Sequence, residues 1–87
     1  MKNEPKILIA DDSMMNRAVL SEILGDEYVY LYAENGVQAL EVLEQNLDVD
    51  LLLLDINMPV MDGFGVLDVM RRRHWIEELP VIIISAE

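Results

Sequence analysis

Four short apolar runs, Lys6 to Ala10, Glu27 to Tyr32, Asp50 to Leu54 and Val81 to Ile84, alternate with three stretches whose apolar residues recur at helical spacing. That alternation restricts the fold more than any other feature of the chain. Strand, helix and strand in succession close into one sheet through a right-handed crossover, so the order βαβαβαβ demands a parallel sheet with helices on its faces. The first and third runs are apolar at consecutive positions, as strands covered on both sides are. Glu27 to Tyr32 alternates instead, with Tyr28, Tyr30 and Tyr32 on one side and Val29 and Leu31 on the other, which predicts an edge strand.

The helices carry their own punctuation. Ser13 is placed to cap the first, Gly25 to stop it, and Met15, Ala18, Val19, Ile23 and Leu24 form its apolar face. Asn35-Gly36 opens the second, which runs to about Asn46 with Val37, Leu40, Leu43 and Leu47 as its stripe. After a loop from Asp55 to Met61 that contains Pro59, Asp62 caps the third, whose Phe64, Leu67, Val69 and Met70 are expected to face inward. Arg71, Arg72 and Arg73 end it, where the helix dipole favours cations.

A chain of 87 residues holds one small domain, residues 1–87, and leaves no room for a second core. With 53% hydrophobic residues it is not a disordered acidic tail. Seventeen Asp and Glu against six Lys and Arg give a net charge of -11, which repels phosphate backbones and anionic lipids. The expectation is no direct nucleic-acid partner and no membrane partner. The absence of cysteine excludes disulfides, thiolate metal sites and cysteine nucleophiles. Met1 to Lys6 lacks the apolar stretch of a secretion leader, and the Leu51 to Leu54 run is far too short to span a bilayer, so a cytoplasmic protein is expected.

The chemistry lies at the strand ends. In doubly wound α/β sheets the ligand crevice sits outside the carboxyl ends of the strands, where neighbouring connections leave in opposite directions. Here that point falls between strands one and three, whose ends carry Asp11, Asp12 and Asp55. Two unit charges about 4 Å apart repel by roughly 4 kcal/mol at an effective dielectric near 20, so three carboxylates on one rim need a neutralising partner. A donor set of oxygens without His or Cys selects a hard cation, Mg²⁺ or Mn²⁺. With the cation held by Asp11 and Asp12, Asp55 becomes a nucleophile toward a phosphoryl group, and the Ser85 hydroxyl at the tip of strand four is a candidate donor to a phosphoryl oxygen.

Asp11-Asp12, the segment Asp55-Ile56-Asn57-Met58-Pro59-Val60-Met61-Asp62-Gly63, and Ser85-Ala86 together closely resemble the receiver domain of two-component response regulators. The resemblance covers the whole chain. It implies strand order 2-1-3-4 and makes Asp55 the phosphoacceptor, supplied by a histidine kinase or a histidine phosphotransfer protein. It also implies Mg²⁺ held by Asp11, Asp12, Asp55 and the Asn57 carbonyl, with Asp12 the more direct of the acid pair. Ser85 would be the switch hydroxyl with the Ala86 amide beside it, and Pro59 and Gly63 would shape the loop. Such a chain is a phosphoacceptor rather than an enzyme. The stretch from Asp11 to Arg17 is similar to receivers attached to hybrid sensor kinases.

A complete receiver continues through another helix, a fifth strand that starts with a lysine, and a last helix. This chain is read as a C-terminally truncated receiver without them. Lys2 and Lys6 stand at the opposite end of strand one from the acids and do not replace that lysine. Strand four would then be an open, uncharged edge and the first helix would lie alone on its face, which predicts self-association or domain swapping through the strand-four edge.

Plainer readings compete at several positions. His74 has no metal-ligand neighbour at helical spacing and is assigned no function, the tyrosine row packs beneath a helix with its hydroxyls in water, and for Met14 and Met58 beside the acids ordinary packing is preferred over contact with a docking histidine kinase or phosphotransfer protein. At the level of function, an alternative is a phosphorylation-incompetent receiver fragment that acts as an assembly or binding module. A third reading, a phosphohydrolase similar to haloacid dehalogenases, requires a second Asp two positions after the nucleophile. Asn57 stands there.

Overall fold

The computed structural model describes residues 4–84. Within them each apolar run becomes a strand and each intervening stretch a helix: β1 (Lys6–Ala10), α1 (Met14–Leu24), β2 (Val29–Ala33), α2 (Gly36–Gln45), β3 (Leu51–Leu54), α3 (Gly63–Arg72) and β4 (Val81–Ile83). The strands form one parallel sheet in the order β2-β1-β3-β4, the predicted doubly wound α/β arrangement. Among the described residues no helix is long and apolar enough to cross a membrane.

Because side chains alternate across a strand, each apolar run feeds two cores. Leu8 and Ala10 of β1, Ala33 of β2, and Leu52 and Leu54 of β3 meet Ala39, Leu40 and Leu43 of α2 and Val66 and Met70 of α3. On the other face Ile7, Ile9 and Leu53 are covered by Leu20 of α1 together with Tyr28 and Tyr30. The first cluster is the larger, and it anchors the two helices that flank β3.

Strand and helix edges depart from the sequence reading for identifiable reasons. β2 begins at Val29 because its partner begins at Lys6, and the first bond, Val29 N–H to the Pro5 carbonyl, is 2.8 Å long. Asp50 precedes β3: its carboxylate accepts from the Lys6 N–H at 2.9 Å, and its own N–H donates to the Lys6 carbonyl. β4 ends at Ile83, although the Ile84 N–H still donates to the Leu54 carbonyl at 2.9 Å. Tyr28 and Tyr30 meet edge-on at 6.3 Å. The Tyr30 hydroxyl donates to the Gly25 carbonyl rather than to water, and Tyr32 is exposed.

The helix faces need more correction. On α1 the expected face, Met15, Ala18, Val19, Ile23 and Leu24, is exposed, and the half-buried positions are Asn16, Arg17, Leu20 and Ser21. On α2 the buried positions are Gly36, Ala39, Leu40 and Leu43, whereas Val37 and Leu47 are exposed, Leu47 lying beyond the helix end. On α3 they are Gly63, Val66 and Met70, and Phe64 points to solvent. Leu40, Leu43 and Met70 are buried as expected and Leu67 and Val69 pack half-buried against the core, while in α2 and α3 the glycine at the first helical position is pressed against a neighbouring segment and joins the buried face.

The caps fall where they were expected. Ser13 Oγ accepts from the Asn16 N–H, Asn35 Oδ1 from the Gln38 N–H, and Asp62 Oδ1 from the Gly65 N–H. The Gln38 side chain reaches back one residue further than a capping box requires, accepting from the Glu34 N–H at 2.8 Å. At the end of α3, Arg71 and Arg72 both pair with Asp68, while Arg73 pairs with Glu44 and lies over the Trp75 ring.

Candidate functional site

Ala10 and Leu54 are register partners in adjacent parallel strands, so the next residues, Asp11 and Asp55, emerge side by side. Two further bonds hold this rim. Asp55 N–H donates to the Ala10 carbonyl at 2.9 Å, and Asp11 N–H donates to the Ala33 carbonyl at 3.0 Å. Asp12 follows on the same turn. One carboxylate oxygen from each of Asp11, Asp12 and Asp55 lies within 4.8 Å of the others. The structure thus brings together three acids that stand 44 positions apart at their widest in the sequence.

Their surroundings differ. Asp11 is 2% exposed, and both its oxygens are engaged: Oδ1 accepts from the Ser13 N–H at 2.9 Å, and Oδ2 accepts from Asn16 Nδ2 at 3.4 Å. Asp12 is exposed. Asp55 is 3% exposed, and its Oδ1 is the one buried side-chain polar atom without a hydrogen-bond partner among the described residues. Burial is the main cause that pushes the Asp55 carboxyl above the usual carboxylate range, and the charge of Asp11 adds to it. The backbone amides of Asn57 and Ile56 pull the other way.

A buried carboxylate with an orphaned oxygen, grouped with two more carboxylates, is a costly arrangement unless a cation completes it. The donors are hard oxygens with no nitrogen or sulfur among them, so the residues fit Mg²⁺ or Mn²⁺.

The loop after Asp55 is tightly shaped. A Cβ on Gly63 would lie 2.6 Å from the Asp55 carbonyl oxygen and 2.9 Å from Ile56 Cα, so only glycine lets α3 start this close to the acid. The Gly63 N–H donates to the Ile56 carbonyl at 2.9 Å. The Pro59 carbonyl accepts from the Met61 N–H at 2.7 Å across Val60, whose φ is 72°. Asn57 is exposed; Met58 is buried, as the packing reading expects, whereas Met14 is exposed and does not pack as expected, because it lies on the solvent side of α1. The expectations for Ser85 and Ala86 lie outside the described residues.

Sequence reasoning missed contributors at two places, the start of α1 and the start of α2. Arg17 donates through its guanidinium to the Asp11 main-chain carbonyl, and Asn16 reaches the Asp11 carboxylate. The available signal was a cation at the start of a helix, where the dipole disfavours it. At the second place, the Gly36 N–H donates to the Met61 carbonyl at 2.9 Å and ties α2 to the loop that follows Asp55.

Comparison with known proteins agrees with this geometry. The family model described as the response regulator receiver domain matches residues 7–87. A two-component response regulator, ORR3, of rice (Oryza sativa subsp. indica) is 35% identical over 85 residues, which cover 97% of this chain and 65% of the rice protein. The chemotaxis protein CheY1 of Helicobacter pylori is 39% identical over 94% of this chain and 68% of its own length. This chain therefore spans about two thirds of the length of these curated relatives.

Among solved structures, the response regulator TrrA of Thermotoga maritima in complex with Mg(2+)-BeF superposes with a TM-score of 0.84 at 33% identity. That match covers 95% of this chain and 70% of TrrA. CheY of the CheX-CheY-BeF3-Mg+2 complex from Borrelia burgdorferi gives 0.81 at 31% identity, over 95% and 63% of the two chains. The parallel 2-1-3-4 sheet, the acids gathered at its carboxyl edge and the family match lead to one conclusion: the chain belongs to the response regulator receiver domain family of two-component systems.

Proposed function

We propose that the chain accepts a phosphoryl group on Asp55 from the phosphohistidine of a histidine kinase or a histidine phosphotransfer protein, in the cytoplasm, as an acceptor rather than an enzyme. The observation that carries this reading is the unpartnered Asp55 Oδ1, buried beside two further carboxylates at the carboxyl edge of the sheet. Asp11, Asp12, Asp55 and the Asn57 carbonyl would hold Mg²⁺ or Mn²⁺. When bound, the cation neutralises the acids and polarises the phosphoryl oxygens.

The chain's own residues do the rest. A carboxylate oxygen of Asp55 attacks phosphorus in line, the phosphorus–nitrogen bond breaks, and the imidazole leaves with the electron pair. The raised Asp55 carboxyl makes this oxygen more basic than an ordinary surface aspartate, and the bond from its N–H to Ala10 keeps it aimed outward from the sheet. Two structural relatives solved with Mg²⁺ and a beryllium fluoride support the pairing of metal and phosphoryl chemistry on this fold.

The test is incubation of the full chain with acetyl phosphate and Mg²⁺, followed by intact mass. A single phosphoryl adduct on the parent chain and none on Asp55→Asn is the expected result. A folded parent chain that gains none overturns the proposal and favours the assembly module. That second reading has one observation of its own: β4 is the outer strand among the described residues, with Ile82 51% and Ile83 44% exposed. Fast turnover of unrelated phosphoesters would favour a hydrolase.

A further inference from the structure

Arg17 stands against the helix dipole, four residues after the Ser13 cap of α1, where a cation is repelled. Five of the six Lys and Arg residues lie in the described segment, and the other four of these, Lys6, Arg71, Arg72 and Arg73, all pair with carboxylates. In a chain of net charge -11, Arg17 instead gives its Nη1–H to a main-chain carbonyl, that of Asp11, at 2.5 Å. It is half-buried, on the side of α1 that faces the sheet, beside Asn16 and ahead of Leu20.

The carbonyl it holds is the oxygen of the Asp11–Asp12 peptide plane. Fixing that plane fixes the backbone torsions on either side of it, and hence where the Asp12 side chain begins. Asp11 has other anchors, through its N–H and both carboxylate oxygens. The exposed Asp12 carboxylate has no hydrogen bond to hold it among the described residues, so the backbone that starts its side chain is what directs it toward Asp11 and Asp55.

We infer that Arg17 is the positioning residue of the acid rim, holding the Asp11–Asp12 peptide so that Asp12 meets the other two carboxylates. This rests on the cation reading above and deepens it. It also has an unusual sign. A nearby positive charge acting only by Coulomb's law weakens cation binding, so its removal would tighten binding; a positioning residue does the reverse.

The experiment is calorimetric titration of the full chain with Mg²⁺, for the parent, Arg17→Met, Arg17→Lys and Asp12→Ala, with thermal midpoints in Mg²⁺-free buffer. Arg17→Met is expected to bind Mg²⁺ roughly tenfold more weakly, the size of effect typical of groups that orient metal ligands. Arg17→Lys should recover part of that loss, and Asp12→Ala should abolish binding. Unchanged or tighter binding by Arg17→Met overturns the inference, as does a lowered midpoint with unchanged affinity, which marks a structural role only. Should Arg17→Met fail to fold, Arg17→Gln is read by the same criteria. A parent chain that takes up no Mg²⁺ overturns the cation reading itself and this inference with it, whereas binding that depends on Asp12 but not on Arg17 removes only the inference.

Discussion

Gly36 and Met61 are joined so closely that one atom more would not fit: the Gly36 N–H donates to the Met61 carbonyl at 2.9 Å, and a Cβ on Gly36 would lie 2.5 Å from that same oxygen. The start of α2 is thereby packed directly onto the end of the loop that follows Asp55. Gly36→Ala is expected to destabilise the fold by about 1–3 kcal/mol, the usual cost of forcing atoms into packed space. Urea unfolding checks it, and a change within about 0.5 kcal/mol would show that the two segments separate easily.

Val60 carries the opposite prediction. Its φ of 72° is a left-handed backbone that a β-branched residue tolerates poorly, and its side chain is 80% exposed, so little packing compensates. Val60→Asn should stabilise the chain by about 0.5–1 kcal/mol, since Asn adopts this conformation more readily. A thermal midpoint unchanged or lowered would count against strain at this position.

Asp55 predicts a pH dependence. Its carboxyl is raised in the folded state, so between the unfolded value near 3.8 and the raised folded value the native chain holds more protons than the unfolded one. Stability is then lost as pH rises through that window, and the deficit is complete above it. Without Mg²⁺, Asp55→Asn should raise stability at neutral pH by about 1 kcal/mol, the scale of an unsatisfied buried group, with the advantage disappearing below the unfolded value. Thermal midpoints of the two chains across that range provide the comparison, and a constant difference at all pH values would contradict it.

Mg²⁺ should offset the same deficit. A ligand that binds only the folded chain stabilises it by RT ln(1 + [L]/Kd), which is about 2.7 kcal/mol at a hundredfold excess over Kd. The midpoint is expected to climb with added Mg²⁺ in the parent chain and to stay flat in Asp12→Ala. A parallel rise in both would place the ion elsewhere.

At the sheet margin, β4 is the outer strand among the described residues, and its exposed Ile82 and Ile83 predict association of the chain with itself. Light scattering at rising concentration should show dimers or larger species that Ile83→Lys suppresses. A monomer at all concentrations would dispose of the assembly reading.

Much of this was legible in the residues. The helix caps Ser13, Asn35 and Asp62, the bounds of β1 and the register-making apolar runs depend on local geometry, and local geometry is written in consecutive residues. The acid rim was legible for a related reason. In a parallel sheet of known order, the residue that ends one strand must stand beside the residue that ends its neighbour, so Asp11 and Asp55 meet wherever Ala10 pairs with Leu54.

The helix faces were decided elsewhere. Size and hydropathy put Phe64, Val37 and Leu47 inside alongside Leu40, Leu43 and Met70, but only the latter three are buried; Gly36 and Gly63 join them because another segment's backbone arrives where a side chain would stand. The partner of Arg17 was equally invisible, because spacing along a chain says which side chains share a helix face and nothing of which carbonyl a long, flexible cation will reach. Local preference comes from the sequence itself and strand order from the family resemblance its motifs carry; rotation, close approach and the choice among available partners exist only once distant segments are packed together.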